Sequence, residues 1–117
     1  MTSIKYAIAG VVLAWTAMAG AKANATPHIY ALIVGIDHYR YVSPSLQGAV
    51  NDATLLASAL KSANALDVRV LIDGEATRQA IYENFRALEK EAHPGDWIVF
   101  TYAGHGGQEQ ERIPGTE

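Results

Sequence analysis

The stretch "IYALIVGI", Ile29 to Ile36, is an unbroken apolar run rich in β-branched residues, and it constrains the fold more than any other part of the chain. A run of this length with no polar face reads as a strand buried on both sides, the situation of a parallel sheet covered by helices. Two more strand patterns follow: "DVRVLID" alternates Val68, Val70 and Ile72 against Arg69 and Leu71, and "DWIVFTY" (96–102) is again mostly apolar. Helical spacing fills the gaps. "QGAVNDATLLASALKSAN" puts Val50, Ala53, Leu56, Ala57 and Leu60 on one side. "EATRQAIYENFRALEKEA" repeats Ile81, Phe85, Leu88 and Ala92 at i, i+4, i+7 and i+11, with Thr77 as its N-cap and His93, Pro94 and Gly95 as its stop.

Strands alternating with helices imply an α/β protein, a mainly parallel sheet between helical layers joined by right-handed crossovers. With the first of these strands lying between the other two, the topological switch point falls beside it, and ligands bind at the carboxyl ends there. The loops at that edge are "DHYRYVSPS" and "AGHGGQ", so Asp37, His38, Arg40 and His105 are expected around one cleft, with Tyr39 and Tyr41 on its rim. Trp97 and Phe100 are expected to pack in the sheet. Three parallel strands alone would leave a sheet edge unpaired, which a complete domain covers.

At 117 residues the chain has room for one modest core. Lys5 followed by the uncharged "YAIAGVVLAWTAMAG" and the small-residue sites "AKA" and "ANA" reads as a secretory signal peptide over residues 1–25, too short to span a bilayer, which takes about 20 apolar residues. That reading makes the protein exported, periplasmic or secreted, with membrane contact only during export, and makes 26–117 the folded part. Of the nine basic residues Lys5 and Lys22 fall in the leader, leaving seven against twelve acids, a net charge of −5. No basic cluster interleaves with aromatics, so no nucleic-acid partner is expected. The chain has no cysteine, hence neither disulfide nor thiol nucleophile of its own, and its four histidines show no close ligand spacing, so no metal site is assigned. His93 reads as a helix-terminus residue and His28 as part of the mature N-terminus. Neither G-x-G-x-x-G after the first strand nor a P-loop is present, which argues against a nucleotide binder.

The histidine of "AGHGGQ" carries the chemistry this sequence offers. Gly104, Gly106 and Gly107 allow positive φ and close approach of backbone N–H groups to a substrate, where they can hold an oxyanion. An imidazole titrates near pH 6.5, suiting it to take and return a proton in acyl transfer. Asn51 and Asp52 open the first helix, where acids cap and complement the dipole, and Asp37 can cap its own loop.

The blocks "YALIVGIDHYRY", "LQGAVNDATLLASALK", "VRVLIDGEATRQAIYENFRAL" and "HPGDWIVFTYAGHGGQ" together resemble the opening half of a caspase-like peptidase domain of the metacaspase and bacterial caspase-like type. The resemblance implies a three-layer α-β-α caspase-like fold, incomplete in this chain, and cysteine-type endopeptidase activity on peptide or protein substrates. It carries the family's Cys-His dyad histidine onto His105, the oxyanion-hole N–H onto Gly106, and the pocket for the residue before the scissile bond onto Asp52, hence cleavage after Arg or Lys. Asp37 joins Asp52 as a substrate-binding candidate. No cofactor is implied in this segment, while the resemblance is compatible with calcium. Many metacaspases carry a cysteine three residues before the pocket acid, where this chain has Ala49.

The family's catalytic cysteine stands about 50 residues after the histidine, and twelve residues follow His105 here. The chain is therefore expected to be a fragment ending before its nucleophile, inactive alone. The other reading is a non-catalytic caspase-like binding or regulatory module that keeps the fold without the thiol.

Overall fold

A computed structural model of the chain describes residues 11–16 and 25–107. The elements in order are β1 (Val11–Thr16), β2 (Ile29–Gly35), α1 (Ala49–Ser62), β3 (Asp67–Ile72), a 3₁₀ turn (Asp73–Glu75), α2 (Arg78–Glu91) and β4 (Trp97–Ala103). They form one four-stranded sheet in the order β1-β4-β2-β3. β2 pairs in parallel with β3, Tyr30 opposite Asp67 through Gly35 opposite Ile72, and with β4, Ile29 opposite Trp97 through Gly35 opposite Ala103. The expected placement of this apolar strand between the other two is thus what the sheet adopts.

Its side chains explain why. Ala31, Leu32, Ile33 and Val34 are wholly buried, and with side chains alternating across the sheet they feed two separate cores. Tyr30, Leu32, Val34 and Ile36 pack with Leu88, Ile81 and Phe85 of α2 and with Ile98 and Phe100. On the other face Ala31 and Ile33 meet Ala53, Ala57, Leu56 and Leu60 of α1, with Val68, Val70 and Val99. This is the three-layer α-β-α arrangement. The layers differ in depth: α1 presents alanines to the sheet and comes close, whereas α2 stands on Leu88, Ile81 and Phe85, with the Phe85 ring edge-on to Phe100 at 6.3 Å between centroids. A Cβ on Gly35 would lie 2.6 Å from both the Ala49 carbonyl and the Ala53 Cβ, so this strand position needs glycine for backbone contact.

Polar bonds fix the ends. Thr77 caps α2 as expected, accepting from the Ala80 N–H at 3.1 Å. Arg69 on β3 bonds Asp67 at 2.8 Å and Glu91 of α2 at 2.9 Å, tying helix to strand. At the amino end of the sheet the buried Asp96 carboxylate accepts from the His28 N–H and the His93 N–H, each at 2.8 Å. Burial pushes the Asp96 carboxyl up, but these bonds outweigh it and hold it below the ordinary carboxylate range.

Two features lie outside what the sequence pattern predicts. β1 falls inside the expected leader, of which residues 1–10 and 17–24 lie outside the described residues, and pairs antiparallel with β4, Val11 opposite Tyr102 through Thr16 opposite Trp97. β1 therefore covers the β4 edge while β3 forms the other edge of the sheet: an apolar run suited to export is equally suited to satisfying an unpaired ladder. Second, the 3₁₀ turn after β3 has no periodic signal and starts at Asp73, whose φ is +45°.

Leu88→Ala is expected to cost about 2–5 kcal/mol in urea unfolding, and Gly35→Ala about 1–3 kcal/mol through overpacking. Because the Asp96 pKa is depressed on folding, its stabilisation is complete above its unfolded pKa and is lost as pH falls through the folded value. Asp96→Asn should therefore lower stability at neutral pH and flatten the fall in stability below about pH 4.

Candidate active site

Both loops singled out from the sequence emerge at the carboxyl edge of β2 and β4. The Ile36 N–H donates to the Ala103 carbonyl at 2.9 Å, carrying the parallel ladder one step past the strands before the chains part. Asp37 comes next, nine-tenths buried. One of its carboxylate oxygens accepts from the Ala49 N–H at 2.7 Å and the Gly48 N–H at 3.1 Å, and the other faces the Val50 N–H at 3.4 Å. Asp37 thus performs from a distance the capping that Gly48, without a side chain, cannot supply to α1. Its charge also meets the positive end of the helix dipole.

The same end of α1 carries Asp52, exposed in the first turn, its N–H bonded to the Gly48 carbonyl at 2.9 Å. Asp52 presents a solvated carboxylate at the sheet's carboxyl edge, while the Asp37 carboxylate is turned inward. Arg40 is exposed and lies 5.6 Å from the centroid of the Tyr41 ring.

Across the sheet, Asp73 reaches from the end of β3 to the start of the β2 loop. One oxygen accepts from the Asp37 N–H at 2.9 Å and the His38 N–H at 3.0 Å, and the other faces His38 Nδ1 at 3.3 Å. The His38 and Asp37 N–H groups hold its carboxyl below the ordinary range against the opposing effect of burial, with the His38 ring adding to them. His38 is therefore engaged by Asp73 rather than aimed at His105.

His105 is half-buried, one residue beyond the buried Gly104. Its Nε2 lies 2.8 Å from the carbonyl oxygen of Pro44, in the β2 loop. A carbonyl only accepts, so Nε2 carries the proton in the neutral ring and the lone pair sits on Nδ1. The imidazole also packs against the Tyr39 ring, centroids 5.3 Å apart and planes at 59°. The backbone is held as well: the His105 N–H donates to the Tyr39 hydroxyl at 2.8 Å, and the Tyr102 hydroxyl donates to the His105 carbonyl at 3.0 Å. Gly104 does not use positive φ, contrary to the reason expected for it. What demands glycine there is space, since a Cβ would collide with the Tyr39 hydroxyl and lie 2.8 Å from that of Tyr102. Gly106 and Gly107 follow, both exposed.

Chemically the edge offers a base with a defined tautomer, exposed backbone beyond it, and a carboxylate on a neighbouring helix. Among the described residues no group of three or more His, Cys, Asp or Glu is placed to hold a metal ion, and no helix is long and apolar enough to cross a membrane. An apolar groove of about 1310 Å³, lined by Ile36, Ile81, Phe85, Ile98, Phe100 and Tyr102, lies between α2 and β4, with His105 outside its lining. Sequence reasoning placed Tyr39 on the rim and missed Asp73, Pro44 and the Tyr102 hydroxyl. For Tyr102 the signal was present, a hydroxyl-bearing aromatic ending an otherwise apolar strand.

An open α/β sheet with a glycine-flanked histidine at its carboxyl edge defines a class of site suited to proton transfer beside a bound substrate. Comparison with known proteins is specific: the chain belongs to the caspase domain family, whose Peptidase_C14 model matches residues 28–117. It is 34% identical over 90 residues to metacaspase-1 of Candida albicans, covering 70% of this chain and 20% of that protein. It is 36% identical over 93 residues to metacaspase-1 of Lodderomyces elongisporus, again 70% and 20%. With metacaspase-2 of Trypanosoma brucei brucei the identity is 33% over 94 residues, covering 72% and 27%. The chain thus spans only about a fifth to a quarter of the length of these relatives. No solved structure matches it.

Asp37→Ala should remove the cap of α1 and cost about 2 kcal/mol, read as a lower urea midpoint and faster amide exchange at Ala49 and Val50. Gly104→Ala should destabilise and disturb the His105 resonances, although it adds only a methyl group.

Proposed function

We propose that this chain is the histidine-bearing part of a cysteine endopeptidase of the caspase and metacaspase type, acting on peptide or protein substrates. The observation that carries the reading is the Pro44 contact: by engaging Nε2 it leaves Nδ1 as the free base of a glycine-flanked histidine. Family membership supplies the reaction class.

In this mechanism Nδ1 of His105 takes the proton from a cysteine thiol contributed by the longer protein, since the 117 residues include no cysteine. The thiolate attacks the scissile carbonyl, and the Gly106 N–H donates to the oxygen that becomes negative. The proton on Nδ1 then passes to the leaving amine as the C–N bond breaks. Water, deprotonated by the same nitrogen, hydrolyses the thioester and restores the thiol. Pro44 acts through its carbonyl, stabilising the imidazolium formed in each half-reaction.

Asp52 is assigned to the pocket for the residue before the scissile bond, where an exposed carboxylate selects Arg or Lys. Asp37 contributes to substrate binding by anchoring the helix that presents Asp52. The leader composition supports export of the protein, with residues 1–25 removed. Calcium is an expectation from the family alone.

The test uses the full-length protein. His105→Ala should abolish cleavage after Arg or Lys while preserving the fold, and unchanged turnover would sink the assignment. Asp52→Asn should lower kcat/KM for Arg substrates about 10–100-fold, which corresponds to about 1.4–2.8 kcal/mol. The 117-residue chain alone should show no peptidase activity. A full-length protein without any cysteine would favour the non-catalytic binding module instead.

A further inference from the structure

The three hydroxyl and peptide contacts around His105 form a closed circuit. Each hydroxyl has one proton to give. The Tyr102 hydroxyl gives its proton to the His105 carbonyl, at 3.0 Å. The bond between the Tyr39 and Tyr102 hydroxyls, at 2.5 Å, must then use the proton of Tyr39. Tyr39 in turn accepts from the His105 N–H at 2.8 Å. Every donor in the ring has one acceptor and all run in the same sense: His105 N–H to Tyr39, Tyr39 to Tyr102, Tyr102 to the His105 carbonyl.

We propose that Tyr39 and Tyr102 are positioning residues that clamp both peptide groups of His105, so that its imidazole reaches Pro44 through Nε2 and keeps Nδ1 free. The inference rests on the peptidase reading only for its catalytic consequence. Its physical basis is independent of it: Tyr39 comes from the loop after β2 and Tyr102 from β4, so the circuit fastens together the two loops that must be in register for the Pro44 contact to form. Gly104 belongs to the same device, since any side chain there would displace the two hydroxyls. Burial and the Tyr39 hydroxyl push the Tyr102 phenol well above its ordinary pKa, which keeps its proton available to the His105 carbonyl. Cooperative polarisation around such a ring strengthens each bond relative to an isolated one.

The experiment compares Tyr39→Phe and Tyr102→Phe with the parent 117-residue chain, each variant keeping its ring and losing only the hydroxyl. Two readouts are independent of activity: amide hydrogen exchange at His105, and the imidazole ¹⁵N shifts that distinguish an Nε2–H from an Nδ1–H ring. The parent should show a protected amide and a single Nε2–H tautomer. Tyr39→Phe should speed exchange at His105 about tenfold, the effect of one lost hydrogen bond, and both variants should mix the tautomers. Thermal unfolding checks that the variants are folded. Should either fail to fold, Gly104→Ala, which crowds both hydroxyls without removing them, must give the same tautomer mixing. In the full-length protein kcat should fall at least tenfold with KM unchanged.

An unchanged amide and a single tautomer in folded Tyr39→Phe would overturn the circuit. Faster exchange with the tautomer and kcat both unaltered would overturn the positioning role. Full activity in His105→Ala would instead overturn the peptidase reading, leaving the NMR readouts to judge the clamp.

Discussion

The structure depends on the burial of β2 on both faces. Four consecutive residues, Ala31 to Val34, have no solvent exposure, so none of these four positions tolerates a polar side chain. That single constraint demands a strand on each side to satisfy its backbone and a helix above and below to exclude water. β3 and β4 supply the first, and α1 and α2 the second. The two helices pack by different means, α1 through alanines against Gly35 and α2 through Leu88 and aromatic contact, because one must approach the backbone and the other must fill a deeper gap.

The functional edge is a consequence of where this burial stops. Past Asp37 the burial ends, and the chain turns into polar loops whose backbone groups need partners. Carboxylates provide them. Asp37 satisfies the N-terminus of α1 and Asp73 satisfies the first N–H groups of the β2 loop. The loop is thereby held against β4, close enough for the Pro44 carbonyl to meet an imidazole borne just past the end of that strand. Asp37 and Asp73 are consumed in building the edge, whereas Asp52 keeps its carboxylate facing solvent.

The strand–helix alternation, the N-cap at Thr77 and the core faces of both helices were legible because each is a local pattern whose period matches its element. His105 was legible for a similar reason, as a polar residue stranded among glycines at the end of an apolar run. The reason for Gly104 was misread, since conformational freedom is a property of one residue whereas the clash that forbids a Cβ involves Tyr39, 65 positions away in the chain. β1 has no signal of its own in the sequence, because composition alone does not separate an apolar leader from an edge strand.

The sequence by itself determined the class of fold, the order of its three parallel strands and two helices, and the family, because hydrophobic periodicity and motif order are written along the chain. Tertiary structure alone decided what each polar group does. It turned Asp37 toward a helix terminus, set Asp73 and the two tyrosine hydroxyls around the loops, and chose the ring nitrogen that His105 keeps free. Apart from the Tyr102–His105 bond, those assignments rest on hydrogen bonds of about 3 Å between residues 11 to 66 positions apart, and no local pattern encodes a distance of that kind.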